Sequence, residues 1–371
     1  MAFLANFGFG IQMVPLPLYT ADLGASVLVL GMLGGATAAV YTCGCFATGV
    51  LVRLLPTRGL TLIGSAVSGT ALILLGQAET VQEVFKAACT SAAGLSIFWV
   101  SMETWLGESG DAKSLPRRTA AFNVSWCSGL IAGPWLGGIL FDRYAQLPFF
   151  CAAAALFTCT LLVSLVVGSR FTNRSRRDDY GLSFDPTELA KSDRLLPVVW
   201  LAQFTQWLSV SMIRYIWPKL ANDQGFEPAA IGRFLAVVGL AQTITFAIMG
   251  IVHFWRFRRY LIYAVQIIAA TAIAAMAVTA NQTILYAAFA VVGIGTAFIY
   301  KSSIYYSLYH PKNRGFRSSM HEGLLASGAL VGPIYAGTLA HLAFLSLPFI
   351  LMPAIVLTSV IVQGRIYNRK N

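Results

Sequence analysis

The sequence is poor in charge. Asp, Glu, Lys and Arg make up 11% of its 371 residues, where a soluble globular domain carries about 25%, and that excludes an ordinary soluble enzyme. Carboxylates are scarce, 15 against 26 basic side chains, and there are four histidines. Those histidines, His253, His310, His321 and His341, lie scattered without the spacing of a metal site. The six cysteines stand in or beside apolar segments of the first half. Cys43-Gly44-Cys45 lacks a second ligand pair, so neither a disulfide framework nor a ligand set is expected. The phosphate-cradling pattern Gly-x4-Gly-Lys-(Ser/Thr) does not occur, which speaks against direct drive by ATP, and no cofactor is expected. A basic stretch ahead of the first apolar run is missing too, so no cleavable signal is expected, and a start upstream of Met1 would fit.

What the chain has is apolar length: 57% of its residues are hydrophobic. About 20 apolar residues cross the hydrocarbon core as a helix, and the punctuation by Gly, Pro and charge gives spans near 2–20, 27–51, 60–77, 84–106, 119–141, 147–169, 195–218, 229–252, 260–280, 283–309, 318–341 and 344–364. Residues 261–280 and 344–362 are apolar almost all round, unlike the dyad alternation of a transmembrane barrel. The fold class expected is an all-α polytopic membrane protein with twelve transmembrane helices. The polar stretch 170–194 divides it into a six-helix half, 1–169, a connection, and a second six-helix half, 195–371. Most Lys and Arg residues fall in the connections that lie inside when both termini are cytoplasmic, among them Arg53, Arg58, Arg117, Arg118, Arg256 and Arg259. Topology and lipid attraction thus account for the net charge of +11 without nucleic acid.

The two halves repeat one another. Pro17, Asp22, Gly24, Gly31, Gly49 and Arg58 recur 201 residues later as Pro218, Asp223, Gly225, Gly232, Gly250 and Arg259. Arg118, Gly129, Gly133, Pro134 and Gly138 recur 199 residues later as Arg317, Gly328, Gly332, Pro333 and Gly337. A constant offset in breakers and charges is what duplicated architecture leaves behind, and six spans per copy make the repeat parallel.

On these features the chain resembles the major facilitator superfamily over essentially its whole length. The loop motif of that family between spans two and three is present in outline: Gly49 and Arg58 keep its ends, while Arg53 stands where Asp is usual, and Phe254 takes that place between Gly250 and Arg259. Both copies therefore lack the carboxylate on which the family's charge relay depends. Gly129, Gly133, Pro134, Gly137 and Gly138 on the fifth span resemble a motif of antiporters in the superfamily, with Ala120 departing from its leading glycine. Their first reading is close helix packing and a proline hinge, because small residues let helices approach and none of these side chains can hold a ligand. Gly332 and Pro333 repeat it. The resemblance implies a central cavity lined by spans one, four, seven and ten, in a protein that rocks around it.

Glu103, Arg214 and Lys301 fall on three such spans, and ionisable groups inside a span need a partner or a wet cavity. On span seven Gln203, Trp207, Val210, Arg214 and Trp217 share one helical face. Arg214 there either grips an anionic group in two-point fashion or snorkels to the interface beside Trp217. Under the 199 offset Glu103 corresponds to Ser302, one residue from Lys301, so the two are expected to pair and to exchange protons; a solvated Glu103 at its helix end is the alternative. Tyr305 could share the cavity face of Lys301, Gln12 is a further polar lining candidate, and His321-Glu322, one turn after Arg317, reads first as an end ion pair.

These observations favour a secondary transporter in a bacterial-type inner membrane, acting as a monomer in the lipid bilayer on a small-molecule solute, with protons as coupling ion and efflux as direction. An uptake symporter or uniporter for an organic anion is the alternative within transport, and a non-transporting receptor or assembly module is the alternative outside it. The basic-residue distribution carries a direct prediction. In a variant cleared of native cysteines, an impermeant thiol reagent added to intact cells labels a cysteine placed at Gln282 and spares one at Ser175; the reverse pattern would invert the topology.

Overall fold

The computed structural model describes residues 1–52, 54–108, 115–165, 186–309 and 314–369. Arg53, most of the connection 170–194 and the side chains of Arg117 and Arg118 lie outside the described residues. The described residues are helical: α1 Ala2–Ile11, α2 Pro15–Asp22, α3 Val27–Leu51, α4 Thr57–Gly76, α5 Val81–Glu108, α6 Leu115–Arg143 and α7 Leu147–Leu165, then α8 Pro186–Asp223, α9 Pro228–Ile251, α10 Arg259–Val278, α11 Gln282–Tyr309, α12 Arg314–Leu342 and α13 Leu347–Asn368. Among them are 12 candidate spans long and apolar enough to cross a membrane.

The expected spans hold, with two differences of shape. The first is broken into α1 and α2 around Gln12, because Pro15 has no N–H to continue the ladder and instead sits at the start of a new helix. The seventh runs well past both expected ends, from Pro186 to Asp223. Its first turns are polar, so an apolar window does not see them, although residues such as Glu188 and Lys191 suit a helix that has left the hydrocarbon.

The chain forms two compact units. The first comprises residues 1–25, 36–181 and 227–236; the second comprises 26–35, 182–226 and 237–371. Each unit therefore takes in the first turns of a helix belonging to the other half of the sequence.

In the first unit α6 runs along α1 with almost no space between the backbones. A Cβ on Gly129 would lie 2.6 Å from the Phe7 nitrogen, one on Gly133 would lie 2.7 Å from the Phe7 oxygen, and one on Gly137 would run into the carbonyl of Ile11. Gly138 and Gly232 seat the start of α9 against α6 in the same way, at the carbonyls of Pro228 and Pro134. The Asp142 carboxylate, at the end of α6, then accepts the Ala229 N–H at 3.0 Å and caps α9. Hydroxyl pairs tie the remaining helices: Thr61 with Ser101 at 2.9 Å, Ser65 with Thr160 at 2.8 Å and Ser68 with Ser91 at 2.8 Å.

The second unit repeats the arrangement. Gly328 and Gly332 of α12 press on the α8 carbonyls of Phe204 and Leu208, while Gly31 and Gly337 seat the start of α3 against α12 near Pro333 and Val27. Both units also end their first span identically, with Gly24 at φ 89° and Gly225 at φ 87°. Bonds from the Ala25 N–H to Thr20 and from the Phe226 N–H to Ala221 close these two ends, the αL cap that glycine alone adopts without strain.

Gly49 and Gly250, at the ends of the loop motif, are not close-packed: a Cβ on either would meet nothing within 4 Å. Arg58 and Arg259 have equivalent structural partners. Arg58 donates to the carbonyls of Val163 at 3.2 Å and Ser164 at 2.8 Å, closing the end of α7. Arg259 lies over the Tyr367 ring at 4.6 Å and donates to Asn368 at 3.2 Å, holding the end of α13.

The glycine contacts give a contrast that can be measured. Gly137→Val should cost about 1–3 kcal/mol of stability by overpacking against α1, whereas Gly49→Ala should stay within about 0.5 kcal/mol of the parent. Thermal unfolding in one detergent, followed for both variants, checks the difference.

Candidate functional site

Polar side chains inside a membrane span cost free energy unless they are satisfied, and the second unit concentrates them on α8, α11 and α12. Two glutamines of α8 illustrate the two outcomes. Gln206 donates to the Thr296 hydroxyl of α11 at 3.0 Å. Gln203 is fully buried, yet neither its oxygen nor its nitrogen meets a hydrogen-bond partner among the described residues. Its place along α11 is bracketed by that Gln206 bond on one side and by the Trp200 indole, which donates to Ser307 at 3.1 Å, on the other.

Further unsatisfied groups on these helices include an indole of α8 and a hydroxyl of α11. Among the described residues the Trp207 indole N–H, one turn from Gln203, meets no acceptor, and the Ser302 hydroxyl, 1% exposed, meets no partner. Gly328 lets α12 come so close that a Cβ there would lie 3.1 Å from the Trp207 Cβ, which fixes the height of the indole. Arg214, two turns beyond Trp207, is half-buried, as is Lys301 on α11.

Trp217 departs from the expected stripe. It is fully buried, donates to the Met276 carbonyl at 3.4 Å and meets the Phe289 ring at 4.6 Å, so it belongs to the packing of α8 against α10 and α11 and not to an interfacial belt. Tyr305 is likewise taken up elsewhere. Its ring lies 5.1 Å from Trp255, 5.2 Å from Tyr306 and 5.3 Å from Tyr309, beneath the Arg256 guanidinium. The expectation that it shares a cavity face with Lys301 gives way to this aromatic cluster.

Of the other candidates, Gln12 and Glu103 belong to the first unit, and Arg317, His321 and Glu322 to the second. Gln12 is 8% exposed at the break between α1 and α2. Glu103 is exposed on α5. Arg317 does not pair with Glu322 as expected: it reaches Asp193 of α8 at 2.9 Å. That leaves His321 to α11, where its Nδ1 meets the Ser303 hydroxyl at 2.8 Å and its ring meets Tyr300 edge-on at 4.9 Å.

Sequence reasoning also missed a buried network that ties α8, α10 and α13. The amides of Gln266 and Gln363 bond reciprocally at 3.0 and 2.9 Å, Gln363 donates to Ser359 at 3.0 Å, and Ser359 meets Thr205 at 2.9 Å. Glutamines within apolar runs were the available signal, since an amide in a span needs a reciprocal partner.

Comparison with known proteins adds the relationships. The family model described as Major Facilitator Superfamily matches residues 1–310 and again 199–369. Among curated relatives, Multidrug resistance protein MdtG of Proteus mirabilis (strain HI4320) is 28% identical over 185 residues, covering 47% of this chain and 45% of that protein. Multidrug resistance protein 1 of Bacillus subtilis (strain 168) is 23% identical over 175 residues, covering 44% and 42%. The chain thus spans less than half the length of the curated relatives it matches. Among solved structures, nucleoside transporter NupG superposes with a TM-score of 0.75 at 13% identity, covering 99% of this chain and 97% of that one. A bacterial homolog of the human lysosomal transporter Spinster, in an inward-facing and unoccupied conformation, gives 0.74 at 12%, covering 100% and 94%. These likenesses establish the fold. With a family model that reaches from residue 1 to 369 and a duplicated order of twelve candidate spans, the chain belongs to the major facilitator superfamily, a family of transporters and not of enzymes.

Proposed function

We propose that the chain is a secondary transporter of a small organic solute, working by alternating access as a monomer in the inner membrane, with both termini cytoplasmic, and exporting its solute in exchange for protons. Membership of the superfamily supports transport, and the names of the multidrug resistance relatives support efflux. The observation that carries a solute role for the second unit is Gln203: an amide with both ends unsatisfied, buried in a membrane span on the same face as Trp207 and Arg214. A buried donor and acceptor left unmade cost about 1–3 kcal/mol, and a solute that supplies the missing bonds recovers that free energy on binding. The indole offers an N–H and a stacking face, and Arg214 offers a planar cationic fork. Lys301 adds a second cation on α11. The two cations also favour a second reading, import of an organic anion.

A thermal-shift screen of the purified protein against drugs and metabolites first identifies a stabilising compound, and proteoliposomes then measure its flux. Gln203→Leu should keep or raise the melting temperature, because it removes unsatisfied polar atoms, while raising KM about tenfold, the equivalent of about 1.4 kcal/mol. Arg214→Lys should weaken binding although the charge remains, since two-point geometry is lost. Parental KM in both variants would overturn the binding role.

Glu103 is the proposed proton carrier of the first unit. Glu103→Gln should abolish accumulation driven by a pH gradient while sparing solute exchange between the two sides. Gradient-driven accumulation intact in that variant would return Glu103 to a solvated helix position.

A further inference from the structure

Of the histidines whose placement is described, His253 and His341 are exposed, whereas His321 is 0% exposed between α11 and α12. A neutral imidazole carries one donor and one acceptor nitrogen. In His321 the Nδ1 position is spoken for by the Ser303 hydroxyl at 2.8 Å, and the Tyr300 ring packs edge-on at 4.9 Å, so the ring is fixed in orientation. Its Nε2 makes no hydrogen bond among the described residues. What lies near it is a carboxylate oxygen of Glu322 at 3.6 Å, too far for a hydrogen bond but well within Coulombic reach. The Glu322 side chain is 60% exposed. The two residues therefore form a site with a buried end at the imidazole and an exposed end at the carboxylate.

The carboxylates on the helices packed around His321, other than Glu322, have partners: Asp223 of α8 pairs with Lys219, and Lys191, Arg194 and Arg214 are further cations of the same helix. On α8, Asp193 is held by Arg317 of α12 and Glu188 accepts a hydrogen bond from Tyr309 of α11. On α11, Lys301 precedes Ser303 by two residues, about 200° around the helix at 3.6 residues per turn, so it points away from the bond to His321. On α13, Tyr367 lies under Arg259 and Arg365 is exposed. Glu322 is the carboxylate left to His321.

We propose that His321 and Glu322 form a proton-binding pair in the second unit. A proton arriving from the open side adds to the Nε2 lone pair, and the resulting imidazolium is neutralised by the adjacent carboxylate; Ser303 holds Nδ1 in both states. Net charge at the site changes from −1 to zero on uptake and returns on release, with no covalent step. A part for this pair in coupling rests on the proton-exchange reading above, whereas proton binding itself does not.

Nuclear magnetic resonance of the full chain in lipid nanodiscs, with 15N-labelled histidine, tests the pair directly. The His321 signals are assigned by their loss in His321→Asn, or by their response to Ser303→Ala if that variant fails to fold. The decisive substitution is Glu322→Gln, at a largely exposed side chain: it should lower the His321 titration midpoint by about 1–3 pH units, the range for loss of an opposite charge at this distance. A midpoint unchanged in Glu322→Gln, or no titration of His321 between about pH 4 and 9 in the parent, would overturn the proposal. Proton uptake accompanying solute flux, followed with a pH dye trapped in proteoliposomes, separates the two claims. A shifted midpoint with no proton movement in the parent upholds the pair and sinks only its part in coupling.

Discussion

Everything else in these units depends on helices meeting backbone to backbone. Lipid tails are as apolar as leucine, so helices in a bilayer gain little from hiding side chains from it and associate instead through close packing and interhelical polar contacts. Here the closest approaches occur where a glycine leaves out its Cβ: Gly133 and Gly137 of α6 on α1, and Gly328 and Gly332 of α12 on α8. Because those contacts are made to carbonyl oxygens and backbone nitrogens, no change of rotamer can relieve an added methyl group. The glycines therefore fix both the separation and the register of each pair, and the heights of Trp207 and Ser211 follow from them.

That constraint was readable in the sequence because it is written in residue types with few alternative uses. Gly129, Gly133, Pro134 and Gly138 survive duplication as Gly328, Gly332, Pro333 and Gly337, and apolar length marked out the spans between such breakers. Partners far along the chain were not readable. The basic side chains of Arg58 and Arg259 were legible as topology markers, but Arg58 meets carbonyls more than a hundred residues away, and a carbonyl has no sequence signature. Trp217 shows a second limit. Periodicity places it on the stripe of Gln203, but α8 has 38 residues, and a single face of so long a helix meets different neighbours at different heights. Among the described residues the indole at Trp207 meets no acceptor, while the one at Trp217 reaches Met276.

The units share a scaffold and divide their polar chemistry differently. Buried polar atoms in the first unit are mainly hydroxyls that find each other across α4, α5 and α7. Such pairs are small and satisfied, and they suit a rigid support. The second unit also buries hydroxyls, and adds more amides and an imidazole, larger groups with more bonding positions to fill. Some are filled completely, as in the Gln266 and Gln363 pair, and others are not, as at Gln203 and His321. Since unmade bonds are a stability cost, their concentration on α8, α11 and α12 is what supports the solute role proposed for these helices.

The absent loop aspartate fits the same division. At the connection between α9 and α10, Phe254 is exposed, while Trp255 is 2% exposed and donates to the Met249 carbonyl at 3.2 Å. Arg256 lies 5.1 Å from the Tyr305 ring centroid, and the Phe257 N–H donates to the Tyr306 hydroxyl at 2.7 Å. Phe257 adopts φ 58°, a left-handed conformation that costs a non-glycine residue about 1–3 kcal/mol and persists only where its surroundings over-determine it. Indole burial, a cation over a ring and a phenol acceptor supply that determination. These contacts are made by an indole, a guanidinium and two phenols, with no carboxylate among them. Under the proton exchange proposed above, the groups put forward lie on the spans themselves, Glu103 in one unit and His321 beside Glu322 in the other.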